Sequence, residues 1–595
     1  MGIQHLLSFL KNQFKKETIY KLRNTSIAID GDNLLHQIYR HTRNELFDFF
    51  GELERISELF SINFIFIFDG IARLQKIDEL IRRRETKIKS YGNAFENKIE
   101  MQNGLVIPYA FLRVISELIL SHHFEIRRAV HEGDELICEM ILKNEVTAVV
   151  SSDSDFLVSN VKYVIPVNEF DRFVFRSLSQ FTKDKLSHCL TVCDTMEVKR
   201  NVLKIFNEDE ICLFSVIAGN DYSKGFVNQL WSELKFDFDR NDLEMNISLR
   251  NKFESILSFV KSIKYTNYLR YMQSKLSSNL YYEFENAYRE TQKVMGLKQT
   301  YDDFIDIDID KKQFFKGSKF YEMTLRCSRP EFVLYPEIFA NTKRLSLFLM
   351  TQKIRSIAYG FLNKDQIIEE YVQNYDDLVK IKTEIKQMIT LKQIKESSLL
   401  QNLMNFAYCL FTNGNDKKKE NGNENKIDIY KNIDNLNHLK ENEKQRLTHL
   451  QNFIVSILGE EQPYDELDTW KIMLLFTMLY LKMYGDYSME ELIKCFCTFM
   501  KIIETGYTSS VIKTEDSRNS IHMYSSCQLV FFFLNEVFID YFDMKQTMIR
   551  ALYITPLDFC DCYDTLDMSS FDFNLECETN DIFKIFNEII VSFFE

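Results

Sequence analysis

Proline is scarce: the 595-residue chain carries only 6. Long helices therefore meet few of the breaks imposed by a missing N–H and a fixed φ. No uncharged apolar run reaches the roughly 20 residues that a bilayer crossing needs, so no membrane partner is expected. The N-terminus, "MGIQHLLSFLKNQFKK", lacks the basic start and small-residue cleavage site of a secretory signal. Leu6 stands where a myristoylation signal wants Ser or Thr. The 12 cysteines include no CxxC pair, which points to buried thiols in a reducing compartment. Cys189 and Cys193 beside His188 have no second ligand pair to complete a zinc site. The net charge of −14 argues against wholesale coating of nucleic acid and leaves room for a local basic groove.

What is present is ample core material, 51 Phe and 29 Tyr within a chain that is 45% hydrophobic and 27% charged. That fits a globular protein of two or three domains. Up to about residue 235, short β-branched or aromatic runs alternate with helix-length segments. The strand candidates are "SIAID" (26–30), "FIFIFD" (64–69), "FEIRRAV" (124–130), "TAVVSSD" (147–153) and "KYVIPV" (162–167). This alternation predicts an α/β domain around a mostly parallel sheet. Periods near 3.6 then take over, as in "LRNKFESILSFVKSIKYTNYLRYM", so the second half reads as mainly α-helical. "YDDFIDIDIDKK" (301–312) reads as an edge strand or linker. The Asn/Lys/Glu-rich stretch 413–445 has too few large apolar groups to offset its ordering entropy and reads as a disordered insertion. "FNEIIVSFFE" at the C-terminus reads as an amphipathic helix.

The acids fall in a pattern. Asp30 ends the first strand and Asp69 ends "FIFIFD". Glu132 and Asp134 follow the third strand, Asp153 and Asp155 follow the fourth, and Asp221 sits in "VIAGNDYS". In a parallel α/β sheet, ligands gather outside the carboxyl ends of the strands. The spacing i, i+2 lets each pair converge if "HEGD" and "SDSD" are extended loops. A single acid at a strand end usually caps the next helix. Seven on one rim repel one another unless cations neutralise them, and oxygen-only ligands favour hard ions such as Mg²⁺ or Mn²⁺. Two such ions form the clamp used in phosphodiester cleavage.

"MGIQHLLSFL", "IAIDGDNLLHQ", "FIFDGIARLQKIDELIRRR", "HEGDELICEM", "VVSSDSDFL" and "IAGNDYS" resemble, in order, the motifs of the flap-endonuclease/XPG-type nuclease family. The asteroid branch is the nearer resemblance, because it has Asp where flap endonucleases have the second Glu, as at Asp134. "QKIRSIAYGFLN" (352–363) also resembles a segment of that branch. The fold implied is a PIN-like, flap-endonuclease-type, mostly parallel twisted sheet with flanking helices, followed by the mainly helical region. The resemblance implies metal-ligand or catalytic roles for Asp30, Asp69, Glu132, Asp134, Asp153, Asp155 and Asp221, with two Mg²⁺ ions, or Mn²⁺ in their place. Lys76 and Arg83 match a basic pair that holds the scissile phosphate. From Ala72 to Ser90 there are 7 basic and 3 acidic residues, so Arg82, Arg83 and Arg84 belong to a locally cationic stretch suited to DNA backbone. His36 sits where the family stacks an aromatic side chain on a nucleobase. Gly2 matches the family's start. Asp32 is an additional acid without a counterpart there and reads as surface or supporting. After "GNDY" a lone Gly225 replaces the family's Gly-rich helix-two-turns-helix, which puts duplex engagement and a potassium site in doubt.

The expected plan is therefore a nuclease-type domain over 1–235 with an arch segment at about 72–115. A helical asteroid-type region (236–412), the insertion (413–445) and a helical C-terminal region (446–595) follow. The function implied is a structure-specific, Mg²⁺-dependent DNA endonuclease, acting on single-stranded, 3′-overhang or flap DNA in nuclear repair. The alternative is a catalytically inactive PIN-like scaffold, nuclear or cytoplasmic, that binds RNA or protein partners. Lost carboxylates would mark the scaffold, and all seven are present. RNA stays open as a substrate because phosphodiester chemistry is shared. The helical half is the place for protein partners.

Overall fold

The structure, a computed structural model, describes residues 3, 5–38, 43–69, 80–86, 88–89, 123–129, 132–180, 189–205, 207–220, 222–236, 245–263, 267–294, 333–334, 346–352, 354–356, 367–374, 377–384, 466–505, 518–542 and 556–566. Two compact units emerge from the contacts. One comprises Met1–Arg83 and Ser116–Asp306, the other Arg84–Ile115 and Ile307–Glu595.

In the first unit, five strands pair in parallel: β2 (Ser26–Asp30), β3 (Asn63–Phe68), β4 (Glu125–Arg128), β5 (Ala148–Val150) and β6 (Tyr163–Ile165). Their order is β6-β5-β2-β3-β4, so the chain builds outward from β2 in one direction and returns to its other side with β5. That reversal between β2 and β5 is the switch point, the place where ligands gather in open α/β sheets. All five sequence-predicted strands are present: burial makes β2, β3 and β5 nearly continuous apolar runs, whereas β4, "EIRR" at the edge, is only partly buried. In β3, Phe64 through Phe68 are all buried. Two antiparallel strands extend the sheet beyond β6: β7 (Cys189–Asp194), then β1 (Lys15–Thr18) at the edge. Neither was expected. β1 reads "KKET" and is mostly exposed, so it carries no apolar signal. Cys193, weighed above as a metal ligand, is instead buried in β7.

Helices cover both faces. α1 (Leu6–Phe9) precedes the sheet, and α2 (Gly31–Ile38) and α3 (Arg43–Phe60) cross from β2 to β3. α4 (Gly133–Leu142) joins β4 to β5, and α5 (Val167–Gln180) follows β6. Phe64 meets Phe170 of α5 edge-on at 5.8 Å, and Phe49 of α3 meets Phe175 at 5.7 Å. α6 (Glu208–Ala218) starts with Asn207 accepting from the Glu210 N–H at 2.7 Å and has three acids in its first turn. It ends at Gly219, whose φ of 93° is one that a side chain would strain. Every residue from Ile211 to Ala218 is buried. α7 (Val227–Glu233), α8 (Met245–Ser262), α9 (Tyr268–Gln273) and α10 (Ser278–Val294) follow, and Phe253, Ile256, Val260 and Phe284 join the same core.

The second unit is mainly helical, as expected of the chain beyond 235, and adds a small sheet that was not. β9 (Ile367–Asn374) and β10 (Asp377–Glu384) form a hairpin, with β8 (Val333–Leu334) parallel to β9. α11 (Leu347–Met350) lies beside the hairpin. Beyond it, α12 (Glu466–Tyr484), α13 (Met489–Thr505), α14 (Arg518–Phe542) and α15 (Pro556–Thr565) pack around rings such as Phe499 and Phe559, 5.0 Å apart. Tyr480 of α12 donates to the Met350 carbonyl at 2.8 Å. Among the described residues, no helix is long and apolar enough to cross a membrane. Residues 301–312, 413–445 and the C-terminal "FNEIIVSFFE" lie outside the described residues.

Arg355, within the "QKIRS" segment, is fully buried and forked onto the equally buried Glu370 of β9, at 2.8 and 3.0 Å. The same guanidinium donates to the Phe348 carbonyl and the Thr351 hydroxyl, each at 2.7 Å. Thr383 of β10 donates to Glu370 as well. Glu370→Leu alone is expected to destabilise this unit by about 3–5 kcal/mol, because it strands a buried cation. Combining it with Arg355→Met should recover most of the loss. Urea unfolding of both variants measures this, and equal losses in single and double variants would refute it.

Candidate active site

Asp30 is the last residue of β2 and precedes the first turn of α2. One of its oxygens accepts the Asn33 N–H at 3.0 Å, as a helix cap does. The other accepts the Ser151 hydroxyl at 2.7 Å, across the switch point from the residue after β5. Ser151 Oγ in turn accepts the Asp153 N–H at 3.0 Å. Asp153 is buried and accepts the Asp155 N–H at 3.1 Å. The helix-capping alternative thus holds for one oxygen of Asp30 and one of Asp153, without removing either from the rim.

Asp69 follows β3 directly. Its Oδ1 accepts the Gly133 N–H at 2.6 Å, which ties the end of β3 to the start of α4. A Cβ on Gly133 would stand 3.0 Å from that oxygen, and one on Gly31 would stand 2.4 Å from the Phe68 ring. Glycine at both helix starts lets these elements meet. Glu132 is the extended residue before α4, and Asp134 lies in its first turn. Asp155 likewise lies inside a short 3₁₀ turn, Ser154–Leu157, with Asp153 at its cap. The two acid pairs were expected in extended loops. They straddle helix starts instead, because the turn begins immediately after Glu132 and Asp153.

Near the N-terminus, Ile3 is buried and stitched to this turn. Its N–H donates to Asp155 Oδ1 at 3.2 Å, and its carbonyl accepts the Ser154 hydroxyl at 2.9 Å. The buried Asn220, next to Asp221 in sequence, organises the residues that follow. Its side-chain oxygen accepts the N–H groups of Tyr222 and Ser223 at 3.1 and 3.2 Å, and its amide donates to Thr291 at 2.7 Å.

Charges of neighbouring acids act on Asp30, Asp69 and Asp134. Loss of water pushes the Asp30 pKa up to about 6, with the hydrogen bonds from Ser151 and Asn33 opposing and the charge of Asp32 adding. Asp69 is held well above the ordinary carboxylate range by dehydration, then by the charges of Asp32 and Glu132. The residue as a whole is exposed at the surface. Asp134 is likewise raised well above its ordinary value, by dehydration first and then by Asp153 and Asp30. An all-oxygen donor set in which dehydration and neighbouring charge disfavour the anions of Asp30, Asp69 and Asp134 is of the chemistry that a hard divalent cation would relieve. Among the described residues, no group of three or more His, Cys, Asp or Glu side chains is placed to hold a metal ion.

The structure places Asp30, Asp69, Glu132, Asp134 and Asp153 near enough for their charges to act on neighbours within the set, and Asp155 joins Asp153 through its N–H while its carboxylate takes the Ile3 N–H. Gly2, Lys76 and Asp221 lie outside the described residues. His36 falls in α2. Arg82 is exposed and Arg83 and Arg84 are half-buried in the helical stretch 80–86. Sequence reasoning missed Ser151, Asn220 and the two glycines. The serine-rich "VVSSDSD" was the available signal for the first.

Acids placed beyond the carboxyl ends of a parallel sheet, beside its switch point, are of the chemistry that suits a hard cation. Residues 1–90 match the model of the XPG N-terminal domain. A comparison with curated proteins found no significant match. Among solved structures, the chain resembles the catalytic core of Rad2 in complex with DNA substrate, with 14% identity over 43% of this chain and 81% of that one, at a TM-score of 0.27. It also resembles flap endonuclease-1 from Methanococcus jannaschii, with 18% identity, covering 50% and 100% of the two chains, at a TM-score of 0.26. Human GEN1 in complex with Holliday junction DNA gives 14% identity, 49% and 77% coverage and a TM-score of 0.24. Likenesses this low assign this chain neither substrate nor activity.

A proton on Asp30 in the folded state but not the unfolded one, between pH 3.8 and about 6, stabilises the fold only at the acid end. Without metal, stability should therefore fall as pH rises through that window, and Asp30→Asn should remove this share of the fall. Melting temperatures in chelator from pH 4 to 7 check it. An unchanged slope in the variant would count against it.

Proposed function

We propose that the chain is a metal-dependent, structure-specific endonuclease that cuts phosphodiester bonds in single-stranded, 3′-overhang or flap DNA. The observation that carries this reading is the placement of six carboxylates just beyond the ends of four parallel strands of one sheet, within a chain whose first 90 residues match the XPG N-terminal domain. Asp30, Asp69, Glu132, Asp134, Asp153 and Asp155, with Asp221, would hold two Mg²⁺ ions, or Mn²⁺. When bound, such ions supply an activated water and charge for the leaving oxygen. Ser151, Asn33 and Gly133 fix the carboxylates that face them, so the ligand oxygens are oriented before any ion arrives.

Lys76 and Arg83 hold the scissile phosphate in this reading, and Gly2, His36, Arg82 and Arg84 contact the nucleic acid. The branch is the asteroid type, on Asp134 and "QKIRSIAYGFLN". The setting is nuclear DNA repair, with protein partners on the helical second unit.

Purified protein on labelled single-stranded, 3′-overhang, 5′-flap and duplex DNA tests it. Cutting should require Mg²⁺, vanish with chelator and drop to background in Asp153→Asn. Arg83→Ala should slow it by about 10²–10³-fold, the usual cost of removing a group that stabilises developing charge. Binding without cutting under Mg²⁺ and Mn²⁺ would sink the enzyme and leave a scaffold for RNA or protein.

A further inference from the structure

Asp69 is the first residue beyond the pairing of β3. The ladder to β2 ends at Ile67 opposite Asp30, and the ladder to β4 ends at Phe68 opposite Arg128. The Ala129 N–H has already taken the Phe68 carbonyl at 2.9 Å. The Asp69 N–H therefore points past the sheet and needs an acceptor from elsewhere. Asp32, in the first turn of α2, supplies it: its Oδ2 accepts that N–H at 2.8 Å. The helix start cannot drift, because Gly31 abuts the Phe68 ring so closely that no side chain fits.

Resting on the nuclease reading above, we propose that Asp32 is a positioning residue for the metal site, fixing Asp69 through its backbone N–H. Asp69 is then held at two points from two helices, its N–H by Asp32 of α2 and its Oδ1 by the Gly133 N–H of α4. With both held, the remaining carboxylate oxygen of Asp69 has one direction to face. An acid in this role is costly without ions, since its charge bears on both Asp69 and Asp30. The same charge makes the hydrogen bond to the Asp69 N–H a strong one. Sequence position alone left Asp32 as a surface or supporting acid; its partner, 37 residues away, gives it a task.

The test compares Asp32→Ala, which removes the acceptor, with Asp32→Asn, which keeps a carbonyl oxygen and removes the charge. The first readout is amide hydrogen exchange at Asp69 in chelator, which needs neither metal nor activity. Protection should be lost in the Ala variant and retained in the Asn variant. The second is Mn²⁺ affinity, followed by electron paramagnetic resonance of the free ion. It should weaken on the order of 10–100-fold in Ala, the usual cost of losing a group that orients a ligand, and by no more than about 3-fold in Asn. Cleavage should follow the same order, through kcat rather than KM. Equal exchange in the wild type and Ala variant overturns the proposal, as does an Asn variant as impaired as Ala, which would make the charge decisive. A wild-type protein that takes up no Mn²⁺ and cuts nothing would overturn the nuclease reading instead. The exchange result then still upholds or rejects the hold of Asp32 on Asp69.

Discussion

Repulsion among carboxylates at the carboxyl edge of a parallel sheet sets the terms for the first unit. The strand order places β2 and β5 side by side with their ends facing the same way, so Asp30 and the Asp153 turn meet across the switch point. The fold answers with donors. Ser151, Asn33, Gly133 and Asp155 each give one hydrogen bond to an acid at the rim. Those donors offset part of the crowding and spend their geometry on orientation, while the rest of the imbalance is left for a cation.

The two units bury charge by opposite means. Arg355 and Glu370 are both shut away from water and each is saturated by its partner and by neighbouring oxygens or hydroxyls. Nothing about that pair invites a ligand. At the rim, acids face acids, and Asp69 is exposed at the surface. A closed pair braces a fold, whereas an unbalanced cluster with access to solvent is chemistry waiting for a counterion.

Much of this was legible beforehand, for identifiable reasons. β2, β3 and β5 announce themselves because burial on both faces leaves no polar position, and acids at their ends stand out against apolar runs. β1 was hidden because its four residues face water. β9 was hidden because "IIEEYVQN" contains Glu370, whose burial makes sense only once Arg355 is beside it. The carboxylates were readable by position, but their supports were not. Ser151 lies 121 residues from the Asp30 it serves, a distance at which local pattern says nothing. Glu132 and Asp134 were expected in one extended loop, and the helix begins between them instead.

α6 carries a consequence for how the chain is made. By Asp221 every acid of the rim has been synthesised, yet Ile211 to Ala218 bury themselves against helices that end only at Val294. At about 5–20 residues per second, the roughly 70 intervening residues take about 4–14 s to appear. During those seconds a largely apolar helix lacks the later part of its cover. The nascent protein is then a ready client for chaperones, and the pace of translation through that stretch becomes a determinant of how much folded protein a cell obtains.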